Sequence, residues 1–327
     1  MKTLSICIPS YDRFEKLSKT LEKILVSKSD DFEVVIVDNC SPRDISEYIH
    51  LSDARVRIVK RETAVNGATN VNNCIVYAEG KYALLVLDKD EICGEYLDSF
   101  IQTLKEKKDV AGGYCKINSE NDNIEVYPKG SIDKFGFLSK HPSGNFYNIQ
   151  LLRHFILSKE KELDKDPFAF DIYLAFCASK GSMICYDKPL AFSLLDKVKK
   201  DDKGSLTFNK DSGNLFYHPN NRIFEFKQYS KFFNEFDMSK KQAIRALREL
   251  YKNTLLQVSV TYKKIMRNEP LCRHYGHRAK KVSCFEMLTY CIKVRKEYMR
   301  YEYNNITKKD KRRIERTIIS RKIKKKF

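Results

Sequence analysis

The sequence predicts an α/β protein: a mostly parallel sheet flanked by helices, followed by a basic helical C-terminal region. Apolar runs of strand length alternate with segments of helical periodicity from Thr3 to Glu91, the pattern of parallel strands covered on both faces. Three successive runs end in polar residues: Ser10-Tyr11-Asp12-Arg13, Asp38-Asn39 and Asp88-Lys89-Asp90. The charge is also segregated, with 27 Lys+Arg against 7 Asp+Glu from Lys240 onward and 34 against 36 before it. A near-neutral body with a basic tail implies two parts with separate tasks.

Taken in order, TLSICIP (3–9) reads as a buried strand stopped at Pro9, because proline cannot donate to a ladder. Asp12 can cap the next segment, where Phe14, Leu17, Leu21, Ile24 and Leu25 recur at helical spacing. Phe32 to Val37 is a second buried strand and Arg55 to Val59 a short third. Asn70 to Glu79 reads as a helix closed by Gly80, and Tyr82 to Leu87 as another strand. After Gly112-Gly113 come strand-like YCKI and IEVY, then the loop KHPSGNFYN (140–148). A helix from Asp171 to Ser179 stops at Gly181, and MICYDKPLAF (183–192) is a strand. Asp196 to Gly213 is polar and poor in aliphatics, either a loop that orders on substrate or a linker. From Asn220 the pattern is helical, which divides the 327 residues into 1–215 and 216–327.

With 42% hydrophobic residues, 32% charged and a mean hydropathy of −0.50, the chain is globular but polar for its size. No apolar run has the length of a membrane span and no leader precedes the first strand, so the expectation is a cytoplasmic protein. Ten cysteines contain no CxxC pair, which argues against a structural zinc site or a disulfide framework.

LLVLDKDE (84–91) raises the chemical question. Two carboxylates one residue apart at a strand end can face one hard cation, which takes one or two protein oxygens and leaves the rest of its shell for water and phosphate. The plain alternative is a solvated acidic turn, and its position after LLVL, with two other polar strand ends upstream, disfavours that.

SICIPSYDRFEKL, FEVVIVDNCSP and NGATNVNNCIVYAEGKYALLVLDKDE resemble, in order and spacing, the signatures of family two glycosyltransferases, over roughly residues 1 to 195. The resemblance implies a GT-A fold, Rossmann-like, and inverting transfer of a sugar from a nucleotide diphosphate. Relatives of this kind build bacterial capsule, O-antigen or lipooligosaccharide. It implies that Pro9, Ser10, Tyr11 and Arg13 border the nucleotide, with the Tyr11 ring facing the base; the lesser alternative for Tyr11 is loop packing. Asp38 and Asn39 match the family's acidic pair that meets the base; an amide at 39 accepts or donates, which leaves uracil, thymine, cytosine and guanine open. Asn66, Gly67 and Asn70 match the loop beside ribose and sugar. Asp88 and Asp90 match the Mn²⁺ or Mg²⁺ pair, with Asp90 the direct ligand, Asp88 the contact to ribose or water, and Glu91 outside it. Asp171 matches the catalytic base, with Phe170 where an acidic residue often precedes it; the alternative is a helix cap, with Asp166 in reserve. His141, Ser143 and Asn145 fall where relatives contact the acceptor or donor sugar.

The tail interleaves apolar residues with cations, as in MLTYCIKVRKEYMRY. Anionic lipid attracts such segments at about 1 kcal/mol per basic side chain. The expectation is association with the inner face of the cell membrane, packing on the catalytic domain, or both. Two other classes compete. An inactive glycosyltransferase-like partner is disfavoured by intact Asp88, Asp90 and Asp171, and a nucleic-acid binder by the acid-ended sheet.

Overall fold

The computed structural model describes residues 1–49, 53–107, 109–136, 141–163, 169–193, 208–209, 214–215, 218–268, 272 and 279–323. The chain divides into two units, Met1–Ser131 with Ser139–Lys197, and Ile132–Leu138 with Val198–Phe327.

The first unit opens with β1 (Leu4–Ser10), α1 (Phe14–Leu25), β2 (Phe32–Asp38), β3 (Val56–Lys60), α2 (Gly67–Tyr77) and β4 (Tyr82–Leu85). It continues with β5 (Glu91–Ile92), α3 (Leu97–Glu106), β6 (Val110–Ile117) and β7 (Asn123–Tyr127). After α4 (Ile132–Phe135), which belongs to the second unit, come β8 (Asn145–Asn148), α5 (Ile149–Ser158), α6 (Glu160–Leu163), α7 (Ala169–Lys180) and β9 (Ser182–Phe192). Among the described residues these strands form one sheet in the order β3-β2-β1-β4-β8-β6-β9-β5, with β7 joined to β9.

Strand direction locates the site. β8 is antiparallel to both β4 and β6, so β6 and β9 run parallel with β1, β2 and β4. The carboxyl ends of these strands and the start of β8 therefore share one edge. α7 turns into β9 at Gly181, which brings its first turn to the same edge. On one face Cys7 of β1 donates to the Cys74 carbonyl of α2 at 3.5 Å, and Tyr147 of β8 meets Tyr173 of α7 edge-on at 5.9 Å. On the other, α1 and α3 bury their apolar sides, with Phe100 edge-on to Phe146 and Tyr186.

Several sequence expectations shift. β1 continues one residue past Pro9, which pairs in register with Val37. Cys7 bonds toward β4 through Val86, so by alternation the missing donor of Pro9 points where the β4 ladder has already ended. Asp12 does not cap α1: Arg13 holds that position, and Asp12, at φ 55°, pairs with Arg43 at 2.6 Å. α2 starts at Gly67 rather than Asn70, because the Asn66 side chain accepts from Thr69 N at 3.0 Å. Of the segment from Asp196 to Gly213, only Phe208–Asn209 is described.

The second unit is helical among its described residues, apart from two short strands, Phe208–Asn209 and Asn214–Leu215. α8 (Pro219–Phe232) starts with proline, whose absent N–H needs no partner there. α9 (Lys240–Leu256) starts with a capping box made by Ser239 and Gln242. Tyr251 of α9 stacks on Tyr298 of the helix Cys284–Arg300 at 4.1 Å. Lys311, buried, donates to the Met299 and Tyr301 carbonyls at the end of that helix. Burial holds its ammonium below the ordinary lysine range.

Gly113 lies in β6 between β8 and β9, where a Cβ would stand 1.9 Å from the Ile184 carbonyl oxygen and 2.7 Å from the Phe146 ring. The backbone contact cannot be relieved by a rotamer. Gly113→Ala is expected to cost about 3 kcal/mol, read as a lower urea midpoint at unchanged slope.

Candidate functional site

Each predicted strand end delivers a buried polar side chain to the common edge. From the end of β1, Ser10 presents a buried hydroxyl without a hydrogen-bond partner. Tyr11 is half exposed at the rim, and its backbone N–H donates to Asp88 Oδ2 at 3.1 Å. Arg13 meets Asp88 Oδ1 at 2.9 Å. Burial is the larger influence on Asp88 and pushes its carboxyl above the usual range, against the pull of the guanidinium. Asp88 thus clamps the loop after β1 to the loop after β4.

At the end of β2, Asp38 is fully buried; its Oδ1 accepts from the Ser41 hydroxyl and backbone, and its Oδ2 has no partner. Asn39 closes a two-way bridge with Val65, donating from Nδ2 to the carbonyl at 2.8 Å and accepting at Oδ1 from the N–H at 2.9 Å. What it retains for a ligand is one amide proton and one lone pair. Cys40 follows at φ 60°, so non-glycine residues occupy the left-handed region after both β1 and β2. Such strain persists where the surroundings over-determine it. In the first turn of α2, Asn70 donates to the Val37 carbonyl at 3.1 Å and leaves Oδ1 buried without a partner. A Cβ on Gly67 would meet nothing within 4 Å, so the approach beside it is open.

Beyond β4, Asp90 is fully buried, with Ser143 donating to Oδ2 and His141 Nε2 at 3.5 Å from the same oxygen. Oδ1 has no partner. Ser143 also accepts from Leu87 N at 2.9 Å, and Gly144, at φ 89°, donates to the Leu85 carbonyl at 2.9 Å. The His141–Gly144 loop is therefore knitted to the end of β4, and Ser143, expected at the acceptor, also donates to Asp90. Nδ1 of His141 accepts from Ser143 N at 3.3 Å, which puts the neutral ring's proton on Nε2, facing Asp90. Burial lowers the affinity of His141 for a second proton, more than the Asp90 charge raises it.

Asn145, at the start of β8, is fully buried and its amide has no bond of sound geometry, although it lies close enough to the Tyr147 hydroxyl to ease that group's ionisation. Asp171, in the first turn of α7, is fully buried and near Tyr147, whose phenol is raised chiefly by burial and in smaller part by the Asp171 charge. Glu91 turns away, ion-paired with Lys23. Asp166 lies outside the described residues.

The donor set fits a hard divalent cation through Asp90, whose Oδ1 is a buried, unpartnered acceptor. Asp88 has both oxygens engaged by Arg13 and Tyr11. Among the described residues no cluster of three His, Cys, Asp or Glu side chains forms a cage. An ion here would complete its shell from water and phosphate, as Mg²⁺ commonly does.

Sequence reasoning missed three supports: Ser41 beneath Asp38, the Val65 backbone that engages Asn39, and Arg43, which binds Asp12 and Glu15. The Ser three residues after Asp in DNCS was a readable signal, since short polar side chains bond locally to their own turn.

A mostly parallel sheet flanked by helices in this way is the architecture of GT-A glycosyltransferases. Residues 5–159 of the chain match Glycosyl transferase family 2. It is 26% identical over 159 residues to the GalNAc(5)-diNAcBac-PP-undecaprenol beta-1,3-glucosyltransferase of Campylobacter jejuni, covering 46% of this chain and 52% of that protein. It is 21% identical to the poly(ribitol-phosphate) beta-N-acetylglucosaminyltransferase TarP of Staphylococcus aureus, covering 69% and 72%. The chain spans about half the length of the first curated relatives it matches. Among solved structures, S. aureus TarS 1-349 in complex with UDP-GlcNAc superposes over 91% of each chain, with a TM-score of 0.55 and 14% identity.

Arg13→Ala would leave the Asp88 carboxylate buried without its cation. A loss of about 2 kcal/mol in urea unfolding is expected, less than for a fully buried pair because Arg13 is partly exposed. Adding Asp88→Asn should recover most of it; a double variant as unstable as the single one would remove the clamp from the account.

Proposed function

We propose that the protein is an inverting glycosyltransferase that moves a sugar from a nucleoside diphosphate donor to a glycan or lipid-linked acceptor in bacterial surface-polysaccharide synthesis. Its main support is the convergence, at one edge of a family 2 domain, of buried acceptors that the protein leaves unbonded: Asp38 Oδ2, Asn70 Oδ1 and Asp90 Oδ1. Ligands of parallel sheets bind beyond the strands' carboxyl ends. A donor resembling the one named for TarS fits such a place.

In this reading Pro9, Ser10, Tyr11, Arg13, Asp38 and Asn39 line the nucleoside, while Asn66, Gly67 and Asn70 border ribose and sugar. Asp90, with Asp88 behind it, would hold Mn²⁺ or Mg²⁺. Such an ion, when bound, screens the diphosphate and stabilises it as a leaving group. Asp171 takes the proton of the acceptor hydroxyl as that oxygen bonds to the anomeric carbon and the carbon's bond to the diphosphate oxygen breaks on the opposite face. His141 and Asn145 border the acceptor or sugar. Residues 1–215 perform this chemistry, and the basic helices of 216–327 hold a cytoplasmic enzyme at the inner face of the membrane. Among the described residues no helix is long and apolar enough to cross one.

Thermal-shift titration with nucleotides and nucleotide sugars, with and without Mn²⁺, tests the donor site. Asp90→Ala is expected to abolish the metal-dependent shift and lower transfer on the order of 10²–10³-fold, with the fold intact. Asp171→Asn should keep the nucleotide shift and lower transfer on the order of 10²–10⁴-fold. Full activity in either variant would move the corresponding role to another residue.

A further inference from the structure

We infer that the helix Cys284–Arg300 carries the surface by which this protein lies on an anionic lipid leaflet, an inference that rests on the membrane part of the reading above. Phe285 is 79% exposed, Leu288 57% and Ile292 46%. At one residue per 100° these side chains fall within an arc of about 60°. Val294 and Tyr298, turned away from that arc, are fully buried. The rotation of the helix is thereby fixed, with the apolar stripe outward.

The charge around the stripe has one sign. Between residues 279 and 300 every exposed charged side chain is cationic, including Lys281, Lys293 and Lys296, together with Arg295, which pairs with Glu315 of the following helix. The two acidic residues of the same stretch, Glu286 and Glu297, are half buried and paired with Lys280 and Lys227. Arg295 and Lys296 flank the line of the stripe toward its C-terminal end. Apolar side chains between cations match a leaflet, whose acyl region takes the former while anionic headgroups meet the latter. A second copy on the same face would set like charges against each other. Nucleic acid would leave Leu288 and Ile292 without a role, since neither offers a ring for stacking.

The test is flotation of the whole chain with vesicles of phosphatidylcholine alone or mixed with phosphatidylglycerol, at low and high salt. The protein is expected to float with the mixed vesicles, and less so as salt rises. Phe285→Ser/Leu288→Ser/Ile292→Ser should reduce the bound fraction about tenfold or more at unchanged melting temperature. Equal flotation of the triple variant, or no flotation of the natural chain, would overturn the inference. So would a concentration-dependent dimer, or binding to a single-stranded oligonucleotide, that the triple substitution abolishes. Nucleotide-sugar thermal shift on the same samples keeps the two readings apart: its absence in the natural chain sinks the donor site whatever the vesicles report, and its presence in a chain that does not float sinks only the lipid surface.

Discussion

Asp38 and Asp90 are fully buried, and a carboxylate taken from water needs donors or a cation for the charge it keeps. The first unit meets that need only in part. Each acid has one oxygen held by a serine, Ser41 or Ser143, while the other is left over. A half-bonded acid is destabilising unless something else completes it. Two of them, past the ends of β2 and β4, the strands that flank β1, together with the unbonded carbonyl of Asn70, leave the free protein with buried acceptors it does not itself satisfy.

The supports around these acids work by linking loops rather than by filling space. Asp88 ties the segment after β1 to the segment after β4, Asn39 ties the end of β2 to Val65, and Ser143 ties the loop before β8 to Leu87 and Asp90. The first two links cross between the ends of parallel neighbours and the third between antiparallel β4 and β8, so strand pairing already aligns all three and small polar bridges suffice to fix the side chains. The left-handed backbone at Asp12 and Cys40 fits this arrangement, because loops held at both ends can keep conformations a free loop would abandon.

How far this was legible in the sequence follows from which interactions are local. The strands were readable as apolar runs, and the polar residues after them marked the edge, because a strand's end is set by its own residues. Pro9 misled as a stop because the outcome depended on which neighbour its missing donor faced, a property of sheet order. Asp12 misled as a cap because Arg43, far along the chain, competes for it. Ser143 could be placed near the site by its loop, but its bond to Asp90 spans 53 residues and needed β8 inserted antiparallel between β4 and β6. Long-range pairing was the missing information at each point.

Charge in the second unit obeys a different logic. Among its described residues several acids are paired within the fold: Glu225 with Arg222, Glu297 with Lys227, Asp310 with Lys240 and Glu315 with Arg295. Even one lysine, Lys311, is turned inward to close the carbonyls at the end of a helix. The cations that remain outside therefore carry the net charge without local compensation, and self-repulsion of that kind weakens a compact state. The unit counters it with stacked tyrosines, capped helix starts and a proline-led helix. Packing that tolerates an uncompensated surface, on a helix that also turns Phe285 and Leu288 to solvent, is expected where the charge and the apolar stripe serve a partner of opposite sign.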